Sequence, residues 1–137
     1  MVQVNFWAIL ASAIVSMVIG SIWYGPLFGK MFREAMGMNQ WSPEKQAAMK
    51  KTMGMSYALQ FIASLVMFFI LSMFITKLGQ WSMVGGLVVA FWSWLGFVVP
   101  IKLADALWGG KMVMFWLSIS NMLLTLLAAG AIIGAWR

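Results

Sequence analysis

The sequence predicts an all-α fold, an integral membrane bundle of four antiparallel helices. Of its 137 residues, 64% are hydrophobic and only 9% are charged. A soluble domain of this length needs more polar side chains to cover its surface. The apolar residues also gather into four runs of about 20 residues, the helix length that crosses about 30 Å of hydrocarbon. We therefore expect the lipid bilayer to be the main surrounding of the chain.

The four predicted spans cover residues 4–24, 53–76, 81–101 and 112–136 of a single transmembrane domain. Their residues do not alternate between polar and apolar, as the strands of a membrane barrel do. The first run has no Lys or Arg before it and is longer than the apolar core of a signal peptide. It is therefore expected to be a retained span.

Basic residues set the expected orientation. The polar loop, residues 25–52, and the third connection together hold seven Lys and Arg, whereas the opposite side has only Lys77 and Arg137. Because cytoplasmic loops carry the excess of basic residues, both termini are expected on the non-cytoplasmic side of a bacterial inner membrane. The net charge of +6 is explained in this way, and we predict no nucleic-acid partner.

A helix start is predicted inside the polar loop. Ser42 provides a capping hydroxyl, Pro43 suits the first helical position and Glu44 lies near the positive end of the helix dipole. The helix either runs directly into the second span, with a bend at Gly54, or lies as a separate amphipathic helix on the lipid surface.

The third span contains aromatic and charged residues at unusual depths. Trp92 and Trp94 fall near its middle, where an indole N–H needs a partner, so at least one of them is expected to face another helix. Pro100 predicts a kink towards the end of the span. Lys102 and Asp105 follow three residues apart, on neighbouring helical surface. They indicate either an ion pair that orients the helix or a charged site at the mouth of a pathway.

Small residues follow one another at helical spacing in three of the spans. They are Ala8, Ser12, Ser16 and Gly20 in the first span, Gly86, Ala90 and Ser93 in the third, and Gly130 and Gly134 in the fourth. Such stripes allow helices to approach closely. They indicate either packing within one bundle or an interface between subunits.

Polar side chains on the second and fourth spans form a candidate site. They are Gln60, Ser64, Asn121 and Thr125. An amide in hydrocarbon needs a hydrogen-bond partner. One hypothesis is that Gln60 and Asn121 bond across helices and fix the packing, and the other is that the polar residues line a permeation path.

The residue types disfavour catalytic and metal chemistry. The chain has no Cys, no His and only three acidic residues, so we predict no catalytic residue, no metal site, no cofactor and no enzymatic activity. We expect a homo-oligomer or an accessory subunit of a larger membrane assembly. The alternative is a small oligomeric channel or facilitator for a neutral or weakly charged solute.

The most distinctive run follows the first span and consists of Trp23, Tyr24, Gly25, Pro26, Leu27, Phe28, Gly29 and Lys30. It resembles the hallmark of a family of small four-span membrane proteins, the domain of unknown function 1761. The likeness extends to residues 4–7, 94–100 and 130–136. The resemblance implies a fold and a topology but no activity. From the residues themselves, Gly25, Pro26 and Gly29 are expected to end the helix and turn the chain, as a structural turn or as part of a binding surface.

Overall fold

Helices make up 88% of the computed structural model, which describes residues 4–136. No strand occurs within that range, and the predicted all-α class is confirmed. The α-helices are α1 (Phe6–Ile22), α2 (Gly29–Met36), α3 (Pro43–Lys77), α4 (Met83–Ser93), α5 (Val99–Leu107) and α6 (Met112–Ala135). Two π-helical turns, Trp23–Leu27 and Trp94–Val98, follow α1 and α4, and a 3-10 turn covers Met38–Gln40.

Four helical segments are long and apolar enough to cross a membrane: Phe6–Leu27, Pro43–Lys77, Met83–Leu107 and Met112–Ala135. Short connections join the second span to the third and the third to the fourth, so neighbouring spans run antiparallel. The four-span membrane bundle predicted from the sequence is therefore confirmed. Much of the predicted polar loop is helical, because it contains α2 and the first turns of α3.

Side-chain caps fix where the long helices begin. Asn5 accepts hydrogen bonds from the backbone N–H groups of Trp7 and Ala8, at 3.1 and 3.2 Å. Ser42 accepts one from Lys45, and Pro43 occupies the first helical position. From there α3 continues through Gly54 as a single helix of 35 residues. Of the two alternatives for the loop, the structure has the helix that runs directly into the second span.

The fourth span, α6, lies at the centre of the bundle. Within its most apolar window, 44% of the residues are buried, compared with 22–28% for the other spans. It contacts α1, α3, α4 and α5. The buried apolar core is formed by Ala8, Ile9, Ala13, Phe68, Leu71, Ile75, Val89, Ala90, Leu126, Ala129 and Ile133.

Glycines of α4 and α6 bring the two helices into close contact. A Cβ atom on Gly86 would overlap the carbonyl oxygen of Gly130, and one on Gly134 would overlap the carbonyl oxygen of Ser82. A Cβ atom on Gly130 would lie 2.8 Å from that of Ala90. The backbones meet directly, as small-residue interfaces in membranes allow. The small residues of the third and fourth spans therefore serve packing within the chain.

Candidate functional site

The candidate site lies where α1 and α4 end, at the predicted cytoplasmic half of the bundle. Each helix passes there into a π-helical turn, Trp23–Leu27 after α1 and Trp94–Val98 after α4. Such turns are rare and frequently occur at functional sites. Both begin with Trp and have Gly two positions later, at Gly25 and Gly96. A π-helical turn that begins with Trp and has Gly two positions later thus occurs at two places in the chain.

Prolines explain why the helices widen at these points. Pro26 has no N–H, so the carbonyl of Ile22 lacks its usual helical donor. The chain continues with a wider turn, in which the N–H of Phe28 donates to the carbonyl of Trp23 at 2.9 Å. The helical segment continues past the predicted span of residues 4–24 to Leu27, so the chain turns between Pro26 and Gly29. Pro100 occupies the first turn of α5, where no N–H is required, and the interruption precedes it.

The two turns aim tryptophan side chains at α6. Trp23 Nε1 donates to the carbonyl oxygen of Leu117 at 3.1 Å, and Trp94 Nε1 donates to that of Ile119 at 2.8 Å. We call these two donors and two acceptors the tryptophan clamp. Of the two mid-span tryptophans, Trp94 faces another helix, whereas Trp92 is 62% exposed. The clamp ties α1 and α4 to one turn of the central helix.

Helix α2 folds back onto the first π-helical turn. The rings of Trp23 and Phe28 lie 4.6 Å apart between centroids, and those of Tyr24 and Phe32 lie 4.8 Å apart. Tyr24 also faces Ser118 of α6. The distinctive run therefore forms a packed aromatic corner. Its basic residue, Lys30, is exposed.

Gly29 allows the start of α2 to lie against the backbone of Tyr24, and its replacement gives a testable prediction. A Cβ atom there would lie 2.9 Å from the carbonyl oxygen of Tyr24, so Gly29→Ala must displace α2. We expect a loss of about 1–2 kcal/mol in stability. The control is Gly25→Ala, which would meet no atom within 4 Å. Thermal midpoints from fluorescence-detected size exclusion compare the two variants, and equal midpoints would contradict the packed corner.

The polar candidate residues are not brought together as predicted. Gln60 is exposed on α3, whereas Ser64 and Thr125 are buried. Asn121 Oδ1 is buried without a hydrogen-bond partner, so the predicted bond between Gln60 and Asn121 is absent. The reason is the rotation of α3, which turns Ser64 inward and leaves Gln60 outside. The Ser64 hydroxyl donates to the carbonyl oxygen of Gln60, one turn earlier in the same helix, at 2.9 Å.

Lys102 and Asp105 lie on α5 but do not form the ion pair that the sequence suggested. Asp105 is exposed and Lys102 is half-buried, and no ion pair joins them in the described part of the chain. Exposed pairs gain little from contact because each charge is solvated and long side chains lose freedom when paired. Neither residue contributes to the tryptophan clamp.

A groove of about 420 Å³ separates α3 from α4 on the outside of the bundle. It is lined by Phe74, Leu78, Gln80, Val88, Val89, Trp92, Ser93 and Phe97. None of the four polar candidate residues of α3 and α6 lies along it. The groove is therefore an apolar surface feature and not the predicted polar path.

The tryptophan clamp was not predicted as a unit. A usable signal was present, because Trp and Gly recur with the same spacing at positions 23 and 25 and at 94 and 96, each near a proline. Chemically, the clamp can hold α6 in register, and Asn121 Oδ1 beside it offers one unused acceptor.

Between residues 4 and 136, no three His, Cys, Asp or Glu side chains gather as metal ligands.

Comparison with known proteins gives one family match. The model of a family described as protein of unknown function (DUF1761) matches residues 7–134, a range that includes both π-helical turns and the glycine contact. No curated protein and no solved structure matches the chain.

Proposed function

The chain belongs to the DUF1761 family of proteins of unknown function, and on that premise we propose that it is a non-enzymatic membrane protein that acts in an assembly. The assembly is a homo-oligomer, or a larger complex in which the chain is an accessory subunit. One observation carries the proposal: within residues 4–136, the first half of α3 is a helix that lies almost fully exposed, with contacts to the rest of the chain only near its start.

This segment, residues 43–60, is called the α3 arm. All of its residues are exposed except Met49, which is half-buried. With 35 residues, α3 is about 52 Å long, whereas hydrocarbon is only about 30 Å thick. The arm therefore extends beyond the bilayer while remaining continuous with the second span.

The composition of the α3 arm does not suit a free helix in water. Met53 and Met55 are exposed large side chains in the part of the arm that lies beyond the hydrocarbon. Helices in proteins gain most of their stability from the packing of an apolar face and not from intrinsic propensity. A protein surface against the arm would remove its apolar side chains from solvent and stabilise it.

The glycines of α4 and α6 give no support for a subunit interface, because they already contact one another within the chain. In the first span, Ala8 and Ser12 are likewise buried. The proposed assembly is therefore supported by the α3 arm and not by the small-residue stripes. The channel alternative has less support, since Gln60 points away from the core that buries Thr125.

Co-capture of two differently tagged copies tests the proposal. Both are expressed together at low level, extracted from native membranes in mild detergent, and captured through one tag. We expect the second tag, or a reproducible partner chain, in the captured material. Cells expressing the tags separately and mixed after extraction provide the control for exchange. Capture of a single copy with no companion chain would contradict the proposal.

A further inference from the structure

We propose that the chain binds anionic phospholipids through four basic side chains at the predicted cytoplasmic edge of the bundle. They are Lys30 and Arg33 of α2, Lys102 of α5 and Lys111, which directly precedes α6. We call these four residues the basic rim. The inference goes beyond the proposed assembly, because it names the class of lipid that one end of the protein prefers.

Two residues of the basic rim lie at the depth of the lipid headgroups on the third and fourth spans. About 20 helical residues cross about 30 Å of hydrocarbon. Counted from the outer span ends, Met83 and Ala135, they place the inner edge at about residues 103 and 115. Lys102 therefore lies at this edge, and Lys111 lies about 6 Å beyond it. The phosphates of the lipid headgroups occupy this layer.

Helix α2 keeps the other two basic residues at the same level. Counted from Phe6, the first span leaves the hydrocarbon at about residue 26, and α2 begins shortly after it. Phe32 holds α2 against the first π-helical turn. Arg33 Nη1 lies over the first residue of α2, 3.3 Å from where a Cβ atom on Gly29 would stand. Lys30 is exposed at the same end of the helix.

Lys102 lacks an anionic partner within the chain. It is half-buried, and within residues 4–136 it forms no hydrogen bond or ion pair. Asp105 lies one turn further along α5, on the side away from the hydrocarbon, and is exposed. A charge that is partly removed from water without a counter-charge is unfavourable. A lipid phosphate at the depth of Lys102 supplies that counter-charge.

Exposed apolar side chains lie next to the basic ones, which matches the two parts of a phospholipid. Leu27 and Met31 are exposed on either side of Lys30 in the sequence, and Ile101 is exposed directly before Lys102. Acyl chains cover such apolar side chains while the phosphate reaches the charged ends of Lys and Arg. A nucleic acid would meet the charges alone and leave the apolar side chains in water.

The distribution of charge indicates that the preferred lipid is anionic. The predicted cytoplasmic end holds seven Lys and Arg and all three acidic residues, whereas the other end has only Lys77 and Arg137. Within residues 4–136, no ion pair neutralises this basic excess. Each Lys or Arg near an anionic membrane surface favours binding by roughly fivefold.

Native mass spectrometry tests the inference. The purified protein is given equal amounts of phosphatidylglycerol and phosphatidylcholine with identical acyl chains, and the lipids that remain bound are counted. We expect at least about fivefold more bound phosphatidylglycerol than phosphatidylcholine. Two double variants, Lys30→Gln with Arg33→Gln and Lys102→Gln with Lys111→Gln, should each lower this ratio by at least about half, and the two together should bring it to about one.

The matched control is Lys45→Gln with Lys77→Gln, which removes two charges outside the basic rim. The Lys45 ammonium lies 4.4 Å from the centroid of the Trp41 ring, and Lys77 lies at the opposite end of the bundle. This variant should keep the native ratio. Lys50 and Lys51 remain in every variant, so a basic excess that orients the chain is retained.

Three results would overturn the inference. Equal retention of the two lipids by the native protein would show that the chain does not prefer anionic lipid. An equal fall of the ratio in the control and in the rim variants would mean that net charge, and not the basic rim, attracts the lipid. If inorganic phosphate displaces phosphatidylglycerol and potassium chloride at the same ionic strength does not, the rim binds free phosphate. A fall confined to the rim variants supports the inference.

Discussion

Gly86→Ala is expected to lower the stability of the bundle by about 2 kcal/mol or more. The added Cβ atom would overlap the carbonyl oxygen of Gly130 and lie 2.7 Å from its carbonyl carbon. Because both obstructing atoms belong to the backbone, no side-chain rotation relieves the overlap. Helices α4 and α6 must separate, and the contacts that Val89 and Ala90 make in the core weaken with them.

Gly20→Ala is the matched control for this prediction. Gly20 also lies within a membrane span, but a Cβ atom there would meet nothing within 4 Å. Alanine favours a helix over glycine by up to about 1 kcal/mol, so this variant is expected to equal or exceed the native protein. Thermal midpoints of both variants in the same nanodiscs provide the comparison. If Gly86→Ala melts no lower than Gly20→Ala, the close contact of α4 with α6 is wrong.

The double variant Trp23→Phe with Trp94→Phe is expected to lose about 1–3 kcal/mol of stability. Phenylalanine keeps an aromatic ring in each position but has no N–H to donate to Leu117 or Ile119. Hydrogen bonds between membrane helices contribute about 0.6 kcal/mol on average and up to about 1.7 kcal/mol. We expect the loss to appear locally, as faster amide exchange over residues 113–121 of α6, in addition to a lower thermal midpoint.

Trp92→Phe is the control for the clamp variants, because Trp92 is exposed on the outer groove. It removes the same atoms from the same span as Trp94→Phe. Its amide exchange in α6 should match that of the native chain. A change in α6 as large as that of the double variant would show that ring loss, and not the hydrogen bonds, causes the effect.

The spans and helix starts were accessible from the sequence because each rests on a local rule. Apolar length reports which segments can cross a bilayer. The run of Ser42, Pro43 and Glu44 marks a helix start that the structure reproduces, with Ser42 capping Lys45. Trp94 also behaves as expected, since burying an indole requires an acceptor, which Ile119 provides.

The rotation of each helix was not accessible in the same way. A membrane helix is apolar on its lipid face and on its core face, so the pattern does not say which face turns inward. Gln60 was expected inside and is exposed, whereas Ser64 and Thr125 are buried. The two π-helical turns were missed for a related reason: Pro26 and Pro100 signal an interruption, but not the wider turn that accommodates it.

The mass of the complex in nanodiscs, with every co-purifying chain identified, tests the central claim most directly. The account predicts a mass of at least two copies, with the α3 arms of neighbouring copies protected from protease. A stable complex with a different chain would mean that this protein is an accessory subunit. The surface that contacts the α3 arm would then belong to that other chain. A single copy of 15.3 kDa, without any companion and with a protease-sensitive arm, would contradict the account.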